Sequence, residues 1–290
     1  MGWLPLTLLC AFALASADAG TKAWLQGYSA RELALIRFAI ASIMMLPIAV
    51  AQPFPDLPPA FWGWIVALLP LEISAMLLYM RAIRDHPLSL TLPYLAFTPV
   101  FVVLTGALLL GEHVSVKGFG GILLVVAGAW LLNIEHATRG DWRSWWRPLR
   151  AILHDSGSRT MLLVAFLYSL TSVMGKGAMR YMAPELFGPF YFGLLGLVTL
   201  TVFGTLQPPI LIRIWRRPWA VLTVAAIFGL MVVTHFIALQ KVEVAYMIAV
   251  KRTSLLFGIL YGALFFHERG LGAHLFAGML MVAGVVLIAV

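Results

Sequence analysis

The chain has 290 residues, of which 62% are hydrophobic and only 11% are charged, and its formal net charge is +8. Soluble domains average about 45–50% apolar and about 25% charged residues, so this composition excludes an ordinary soluble domain and indicates an integral membrane protein. The positive charge does not predict a nucleic-acid partner, because the basic residues lie between apolar segments, where they are typical of loops beside a membrane.

Ten apolar stretches, each of about 17–25 residues, are long enough to cross a bilayer as helices. They cover residues 3–25, 33–51, 61–82, 88–110, 114–133, 160–180, 187–206, 219–240, 244–266 and 270–289. The first stretch lacks the basic segment of a signal peptide, so we interpret it as a membrane helix. The connections are short and have no room for a soluble catalytic domain. We therefore predict an all-α polytopic membrane protein with ten transmembrane helices.

The longest connection contains the segment RGDWRSWWRPLRAILH, residues 139–154. Tryptophans interspersed with arginines are typical of a segment that lies in the headgroup region of an anionic leaflet. We interpret this linker as an interfacial anchor in contact with membrane lipids. A regulatory or partner site is the alternative interpretation.

The chain contains an internal repeat. A shift of 156 residues aligns FVVLTGALLLGE (101–112) with FGILYGALFFHE (257–268), and a shift of 154 residues pairs Lys22 with Lys176. Because each half has five helices, an odd number, the second half enters the membrane from the opposite side. We therefore predict two inverted five-helix repeats with a substrate site between them, near the midplane. The predicted units are a first repeat at 1–133, an amphipathic linker at 134–159 and a second repeat at 160–290.

Basic residues are distributed unevenly over the predicted loops. Of the 20 Lys and Arg residues, twelve lie in loops that follow odd-numbered spans. Loops that follow even-numbered spans hold only Lys117, Arg180 and Lys241. Because cytoplasmic loops carry the excess of basic residues, we predict that both termini lie outside the cytoplasm.

Ionisable residues inside the predicted spans are expensive, at about 2.5–3.5 kcal/mol each on insertion scales, and usually serve a function. The spans contain more cations than carboxylates: Lys22, Arg37, Lys176, Lys251 and Arg252 against Asp18 and Glu72. A buried cavity with surplus positive charge attracts an anion, and the arginine fork matches phosphate or carboxylate oxygens.

We predict that this surplus charge binds the anionic group of a small-molecule substrate. The predicted substrate-binding residues are Lys251, Arg252, Arg37, Lys176, Tyr94 and Tyr246. Lys251 and Arg252 begin roughly 10 Å into the ninth span, and adjacent positions on a helix point about 100° apart, so a break or bend is needed for them to converge. Snorkelling of both side chains to the nearer interface is the alternative.

The candidates for coupling transport to a proton are Glu72, Asp18, Lys22 and His235. A carboxyl group in a low-dielectric site can bind and release protons near neutrality, which makes Glu72 the first candidate. The alternative role of Glu72 is that of a static counter-ion for Arg37. Asp18 and Lys22 are four residues apart, and we expect them to neutralise each other on one helix face. His235 can titrate at physiological pH, or it makes an ordinary polar contact.

Two further features concern helix shape. Pro93 and Pro99 lie six residues apart in the fourth span, where each proline removes a backbone hydrogen bond and is expected to bend the helix. The fifth span carries a face of small residues that predicts close helix packing. These residues are Gly118, Gly120, Gly121 and Gly128.

The repeat motifs resemble those of a known superfamily. Pro99, GALLLGE and VAG in the first half, repeated as GALFFHE and VAG in the second, look like the drug/metabolite transporter superfamily and, within it, the EamA family. The resemblance covers essentially the whole chain and implies a five-plus-five helix fold and a carrier role. The second half departs from the pattern at His267, where the first half has Gly111.

A narrower resemblance concerns the charged pair in the ninth span. Lys251 and Arg252 are similar to the Lys-Arg pair with which plastid triose-phosphate/phosphate translocators, of the same superfamily, hold phosphate. This resemblance implies a phosphorylated cargo and an exchange mechanism, since an empty cationic site resists reorientation.

These observations predict a secondary transporter, a carrier or exchanger, that moves a small anionic metabolite, phosphorylated in the narrower interpretation, by alternating access. The alternatives are a proton-coupled exporter of amino acids or other zwitterionic or neutral metabolites, and a flippase for a lipid-linked anion. The chain has no HExxH, GxSxG or GxxxxGK[ST] motif, so we expect no enzymatic activity, metal or cofactor. We expect a monomer or homodimer in a bacterial or archaeal cytoplasmic membrane.

Overall fold

The computed structural model describes residues 2–85, 92–131, 156–265 and 271–289. Every regular element in these ranges is a helix. In chain order they are α1 (Trp3–Trp24), α2 (Ala30–Leu35), α3 (Ala41–Val50), α4 (Pro59–Asp85), α5 (Thr98–Leu110), α6 (Val116–Leu131), α7 (Ser156–Ala178), α8 (Pro184–Leu206), α9 (Ile210–Arg213), α10 (Pro218–Gln240), α11 (Val244–Lys251), α12 (Ser254–Phe265) and α13 (Leu271–Ala289). A π-helical turn (Ile36–Ile40) joins α2 to α3, and short 3-10 helices cover Leu92–Phe97 and Ile214–Arg216.

Within the described residues, 6 helical segments are long and apolar enough to cross a membrane. They are Trp3–Trp24, Ala30–Val50, Pro59–Ala82, Ser156–Ala178, Pro184–Leu206 and Pro218–Gln240. Shorter apolar helices cover Tyr94–Leu110, Val116–Leu131 and Phe276–Ala289. The prediction of an all-helical, multi-pass membrane protein is therefore confirmed. Of the predicted linker, residues 134–155 lie outside the described residues, and residues 156–159 belong to α7.

The helices pack in pairs that join the first half of the chain to the second. α1 packs along α10, and α4 packs along α7. α3 packs along α8, and α6 packs along α13. By their order in the two halves, α1 corresponds to α7 and α4 corresponds to α10, so exchange of the halves converts the α1–α10 pair into the α4–α7 pair. The α3–α8 and α6–α13 pairs each join corresponding helices and are unchanged by the exchange. The contacts therefore have the pattern of a two-fold relationship between the halves.

Aromatic and aliphatic side chains fill the interior between these pairs, and further large apolar side chains cover the outside. Phe187 is fully buried, and its ring centroid lies 5.0 Å from that of Phe236. On the outer surface, the side chains of Val66 and Leu108 are 69% and 74% exposed. Exposed apolar side chains of this size are ordinary on a surface that contacts lipid, which agrees with the predicted membrane location.

The fourth and ninth spans are both interrupted, at positions that the repeat makes equivalent. α5 begins at Thr98 and α12 begins at Ser254, and these residues are 156 positions apart, the shift that aligns the two halves. Beside each interruption a threonine hydroxyl donates to a backbone carbonyl three residues earlier, from Thr98 to Leu95 at 2.7 Å and from Thr253 to Val250 at 2.8 Å. The local chemistry of the two breaks is therefore shared.

Pro99 does not bend a helix as the sequence suggested. It lies in the first turn of α5, where the backbone N–H that proline lacks would have no partner within the helix. The expectation of a kink within a continuous α-helix at Pro99 was therefore wrong, because α5 begins at Thr98, directly after the 3-10 helix, and Pro99 is its second residue.

The predicted glycine face of α6 is confirmed at two positions. A Cβ atom on Gly128 would lie 2.6 Å from the carbonyl oxygen of Ala277, and a Cβ atom on Gly121 would lie 2.8 Å from that of Gly284. Real Cβ atoms essentially never lie this close to another heavy atom, so α6 and α13 approach as closely as glycine permits. A Cβ atom on Gly120, by contrast, would make only an ordinary van der Waals contact, with Leu287 Cδ2 at 3.7 Å.

Candidate functional site

A cavity of about 100 Å³ lies among the helices and is lined by both halves of the chain. This volume is enough for several water molecules, since one water needs roughly 10–15 Å³ of such space. The lining residues come from α1, α4, the π-helical turn and the 3-10 helix Leu92–Phe97 in the first half, and from α7, α8, α10, α11 and the turn after α11 in the second. The charged or readily titratable side chains among them are Arg37, Glu72, His235, Lys251 and Arg252.

The break in the ninth span brings both cations of the Lys-Arg pair to this cavity. α11 ends at Lys251, and the chain then turns through Arg252 and Thr253 before α12 begins. On an unbroken helix the two adjacent side chains would point about 100° apart. Here both line the cavity, and the side chain of Arg252 is buried. Neither the proline nor the glycine that usually marks a helix break is present at these positions, so no local residue signal predicts this break.

The two cations of this pair have no carboxylate partner within the described part of the chain. The ammonium of Lys251 lies 3.3 Å from Nδ1 of His235. Because a protonated lysine can only donate, this contact requires an unprotonated Nδ1 on the imidazole. Arg252 Nε is buried and has no hydrogen-bond partner. Two donor groups thus face the cavity without a carboxylate within ion-pair distance in the described part of the chain.

Arg37, in contrast, has a carboxylate partner, although its Nε, like that of Arg252, is buried without a hydrogen-bond partner among the described residues. Its Nη2 donates to Asp18 Oδ1 at 2.6 Å and to Thr21 Oγ1 at 3.2 Å, and the side chain is only 1% exposed. The hydroxyl of Tyr79 donates to the other oxygen of Asp18 at 3.0 Å. The guanidinium also lies over the ring of Phe228, 4.9 Å from its centroid.

This geometry corrects the expected pairing of Asp18 with Lys22. The carboxylate of Asp18 turns to the π-helical turn instead of toward the next turn of its own helix. Lys22 is absent from the residues that line the cavity, although it belongs to the same helix. Asp18 is therefore the counter-ion of Arg37, and the surplus of positive charge at the cavity comes from Lys251 and Arg252.

Glu72 also lines the cavity, and its side chain is only 9% exposed. Thr171 lines the same cavity. No cation of the described residues lies within 4.0 Å of the Glu72 carboxylate. Since Arg37 is occupied by Asp18, Glu72 is not the static counter-ion for Arg37 that the sequence offered as an alternative.

The structure does not bring Lys176, Tyr94 and Tyr246 to the cavity. Lys176 Nζ donates to Glu112 Oε1 and to the carbonyl oxygen of Val242, both at 2.6 Å. Tyr94 is buried, with its ring centroid 5.9 Å from that of Trp130. The hydroxyl of Tyr246 accepts a 3.0 Å hydrogen bond from the backbone N–H of Ser115. These three side chains therefore support the packing around the site.

The cavity also contains polar residues of α7 that the sequence reasoning did not single out. They are Tyr168, Thr171 and Ser172. The signal was available, because YSLTS (168–172) is a run of hydroxyl side chains inside an otherwise apolar span. Tyr79 and Tyr191 also line the cavity.

Comparison with known proteins adds the following similarities. The profile described as "EamA-like transporter family" matches residues 1–134 and 156–290. Over 72 residues the chain is 31% identical to a protein of Enterobacter sp. (strain 638) named "Probable 4-amino-4-deoxy-L-arabinose-phosphoundecaprenol flippase subunit ArnE", and the match covers 25% of this chain and 67% of that protein. A crystal structure matches 99% of this chain and 98% of its own with a TM-score of 0.76, at 18% identity, which is a likeness of fold.

Proposed function

The chain belongs to the EamA-like transporter family, within the drug/metabolite transporter superfamily, and from this premise we propose that it is a secondary carrier for small organic anions. The cargo enters the cationic cavity, and alternating access moves it across the membrane. A phosphorylated metabolite is the cargo that best fits the cavity. The single observation that carries this proposal is that Lys251 and Arg252 line a buried cavity without a carboxylate partner among the described residues.

The proposed architecture is ten membrane helices in two inverted repeats, 1–133 and 160–290, joined by the interfacial linker 134–159. Three observations support it. The family profile matches the chain in two segments of similar length. The helix pairs α1–α10 and α4–α7 are exchanged when the halves are exchanged. The interrupted spans resume at Thr98 and Ser254, which the repeat makes equivalent. Interrupted helices at the midplane are a common way to build a substrate site in transporters with inverted repeats.

An anion is the natural occupant of the cavity on electrostatic grounds. Unpaired buried cations are destabilising, and a ligand with negative charge removes that penalty when it binds. The fork of Arg252 suits phosphate or carboxylate oxygens, and Lys251 adds a second charge. An empty site with this charge resists reorientation across the membrane, which favours exchange of one anion for another. Arg37 contributes to the same wall but is already neutralised by Asp18.

The residues proposed to couple transport to a proton are chosen by their position relative to the cavity. Glu72 is the leading candidate, because its carboxylate lines the cavity and takes part in no ion pair among the described residues. His235 contacts Lys251 and can respond to the charge there. Asp18 is bound to Arg37, and Lys22 does not line the cavity, so both are secondary candidates. If Glu72 carries a proton, the chain is a proton-coupled exporter, which is the alternative for neutral or zwitterionic metabolites.

The flippase alternative is supported by one relative. The name of the Enterobacter protein assigns it a lipid-linked cargo that includes a phosphate. A phosphate on a lipid presents the same chemistry to Lys251 and Arg252 as a soluble phosphorylated metabolite. The bacterial origin of this relative also supports a location in a bacterial cytoplasmic membrane. We propose a monomer or homodimer whose partners are the small-molecule substrate and membrane lipids, without a nucleic-acid partner.

Uptake into proteoliposomes tests the proposal. Labelled phosphate and sugar phosphates are offered outside, with and without the same anion inside, and we expect uptake only in the presence of internal anion. Lys251→Gln and Arg252→Gln are each expected to lower uptake by about tenfold or more, because each removes a charged hydrogen bond to the cargo. Arg252→Lys is expected to recover only part of the activity, since lysine lacks the planar fork.

The matched control is Lys241→Gln, which neutralises an exposed lysine in the connection between α10 and α11. It is expected to transport like the wild type. A lipid-linked phosphate is tested in the same vesicles, and movement of this lipid without uptake of soluble anions identifies the flippase alternative. Normal transport by both Lys251→Gln and Arg252→Gln would falsify the site assignment.

A further inference from the structure

We propose that the cargo carries an ammonium group in addition to its anionic group, and that the Glu72 carboxylate binds this ammonium. The cavity would then recognise an amino-phosphate or a similar compound with both charges. The inference rests on the proposed function, because the ammonium is recognised together with an anion that Lys251 and Arg252 hold.

The first argument is that the cavity contains two separate charged poles. Glu72 and Lys251 line the same cavity, yet their charged groups form no ion pair within 4.0 Å. A buried carboxylate and a buried ammonium that could meet would gain by pairing directly. Since both groups line one cavity without forming an ion pair, a ligand that reaches both would satisfy them.

The second argument is the chemistry around Glu72. Tyr168 and Tyr191 line the same cavity as Glu72. Tyr191 Oη is buried and has no hydrogen-bond partner in the described part of the chain. A carboxylate, hydroxyl oxygens that can accept, and aromatic rings together form the type of surroundings that bind an ammonium group.

The third argument is the balance of charge in the cavity. Arg37 and Asp18 neutralise each other. His235 is neutral where Nδ1 accepts from Lys251. Lys251 and Arg252 together exceed Glu72 by one positive charge. A phosphate monoester carries about −1.5 to −2 charges near neutrality, so a monoester with one ammonium group leaves the cavity close to neutral.

The proposal is tested by binding to the purified protein in nanodiscs, with calorimetry as the readout. The probes are phosphoethanolamine and ethyl phosphate, which have the same backbone and differ in the ammonium group. Longer aminoalkyl phosphates are paired with alkyl phosphates of equal length, so that the spacing between the two poles is also measured. For at least one spacer we expect the wild type to bind the amino compound about tenfold more tightly, as for one charged hydrogen bond.

Glu72→Gln is expected to lose this preference, since the glutamine side chain has the same shape without the charge. It is also expected to bind ethyl phosphate more tightly than the wild type does, because a repelling carboxylate has gone. The matched control is Glu185→Gln, on a half-buried glutamate in the first turn of α8 that does not line the cavity. This variant should keep the wild-type preference.

Each result decides the matter. Equal affinity of the wild type for amino and plain phosphates at every spacer overturns the ammonium site, even if both compounds bind well and the anion site stands. This comparison needs no variant and is independent of folding defects. A preference that survives in Glu72→Gln overturns the role of Glu72. Failure of the wild type to bind any of the phosphates overturns the anion carrier itself and this inference with it.

Discussion

Lys176 and Glu112 form an ion pair of 2.6 Å that joins the end of α7, in the second half of the chain, to the end of α5, in the first. The second carboxylate oxygen of Glu112 accepts a 2.9 Å hydrogen bond from the backbone N–H of Val244, at the start of α11. One glutamate therefore binds an ammonium group and the N-terminus of a helix. Both side chains are largely buried, at 22% exposure for Lys176 and 13% for Glu112.

The first prediction is that Glu112→Gln destabilises the protein. It leaves a partly buried ammonium without its counter-ion, and removal of one partner from such a pair costs about 2 kcal/mol after allowance for partial exposure. We expect the apparent Tm in detergent to fall by about 5 °C. The control is Arg81→Gln, which breaks the exposed pair of Arg81 and Asp85, with side chains 72% and 35% exposed. That pair contributes little, so an equal loss of stability in both variants would contradict the prediction.

The second prediction concerns Asp18, the counter-ion of Arg37. Asp18→Asn leaves a guanidinium that is 1% exposed without negative charge, which should cost about 3 kcal/mol and reduce the yield of folded protein. Tyr79→Phe removes one hydrogen bond to the same carboxylate and should cost about 1 kcal/mol. Both are measured by thermal unfolding of the purified protein, monitored by intrinsic fluorescence. A larger effect for Tyr79→Phe than for Asp18→Asn would show that the ion pair does not hold Arg37.

The sequence was sufficient for the class of protein and for its repeated plan. The bilayer determines how apolar the chain must be and how long each apolar stretch must be. Both properties can therefore be read from the sequence without knowledge of tertiary contacts. Lys251 and Arg252 were also predictable from the sequence, because a charged residue inside a membrane span is costly and usually functional. The structure places both at the cavity.

The partners of the charged side chains were not predictable in this way. Contacts between helices depend on the rotation of each helix about its axis, which hydropathy does not determine when a span is apolar on all sides. Asp18 was therefore assigned to Lys22, on its own helix, although it pairs with Arg37 across the bundle. Lys176 was assigned to the cavity for the same reason, although it pairs with Glu112. The repeat contained a clue, because it matches Glu112 with Glu268 and Lys176 with Lys22, and so marks both members of this ion pair as repeated positions.

The third prediction uses the close contact between α6 and α13. Gly128→Ala places a methyl group where the carbonyl oxygen of Ala277 would be 2.6 Å away, so the helices must separate. Overpacking of this kind costs about 1–3 kcal/mol, and we expect a clear fall in the apparent Tm. Gly120→Ala is the matched control on the same helix, because its methyl group would meet Leu287 at an ordinary 3.7 Å. It should be neutral or slightly stabilising, since alanine favours the helix over glycine. Equal Tm values for the two variants would rule out the close contact.

The fourth prediction is the orientation of the chain in the membrane. Arg84, Arg213 and Arg216 line one shallow surface pocket together with Tyr28 and Ser29. These residues belong to the connections that follow the first, third and seventh predicted spans, so the structure brings three loops of the basic set to one end of the bundle. The Arg216 guanidinium lies over the ring of Tyr28, 4.5 Å from its centroid, which fixes part of this basic surface.

Because cytoplasmic loops hold the excess of arginine and lysine, this end should face the cytoplasm and both termini should lie on the other side. A phosphatase that is active only outside the cytoplasm, fused after residue 290, is expected to be active in intact cells. The same enzyme inserted after Gln207, at the basic end, should be inactive, and a fluorescent reporter that matures only in the cytoplasm should give the opposite pattern at both sites. A fluorescent C-terminal fusion together with an active phosphatase at the basic end would show the opposite orientation, with both termini in the cytoplasm. The cavity and its charges do not depend on this result.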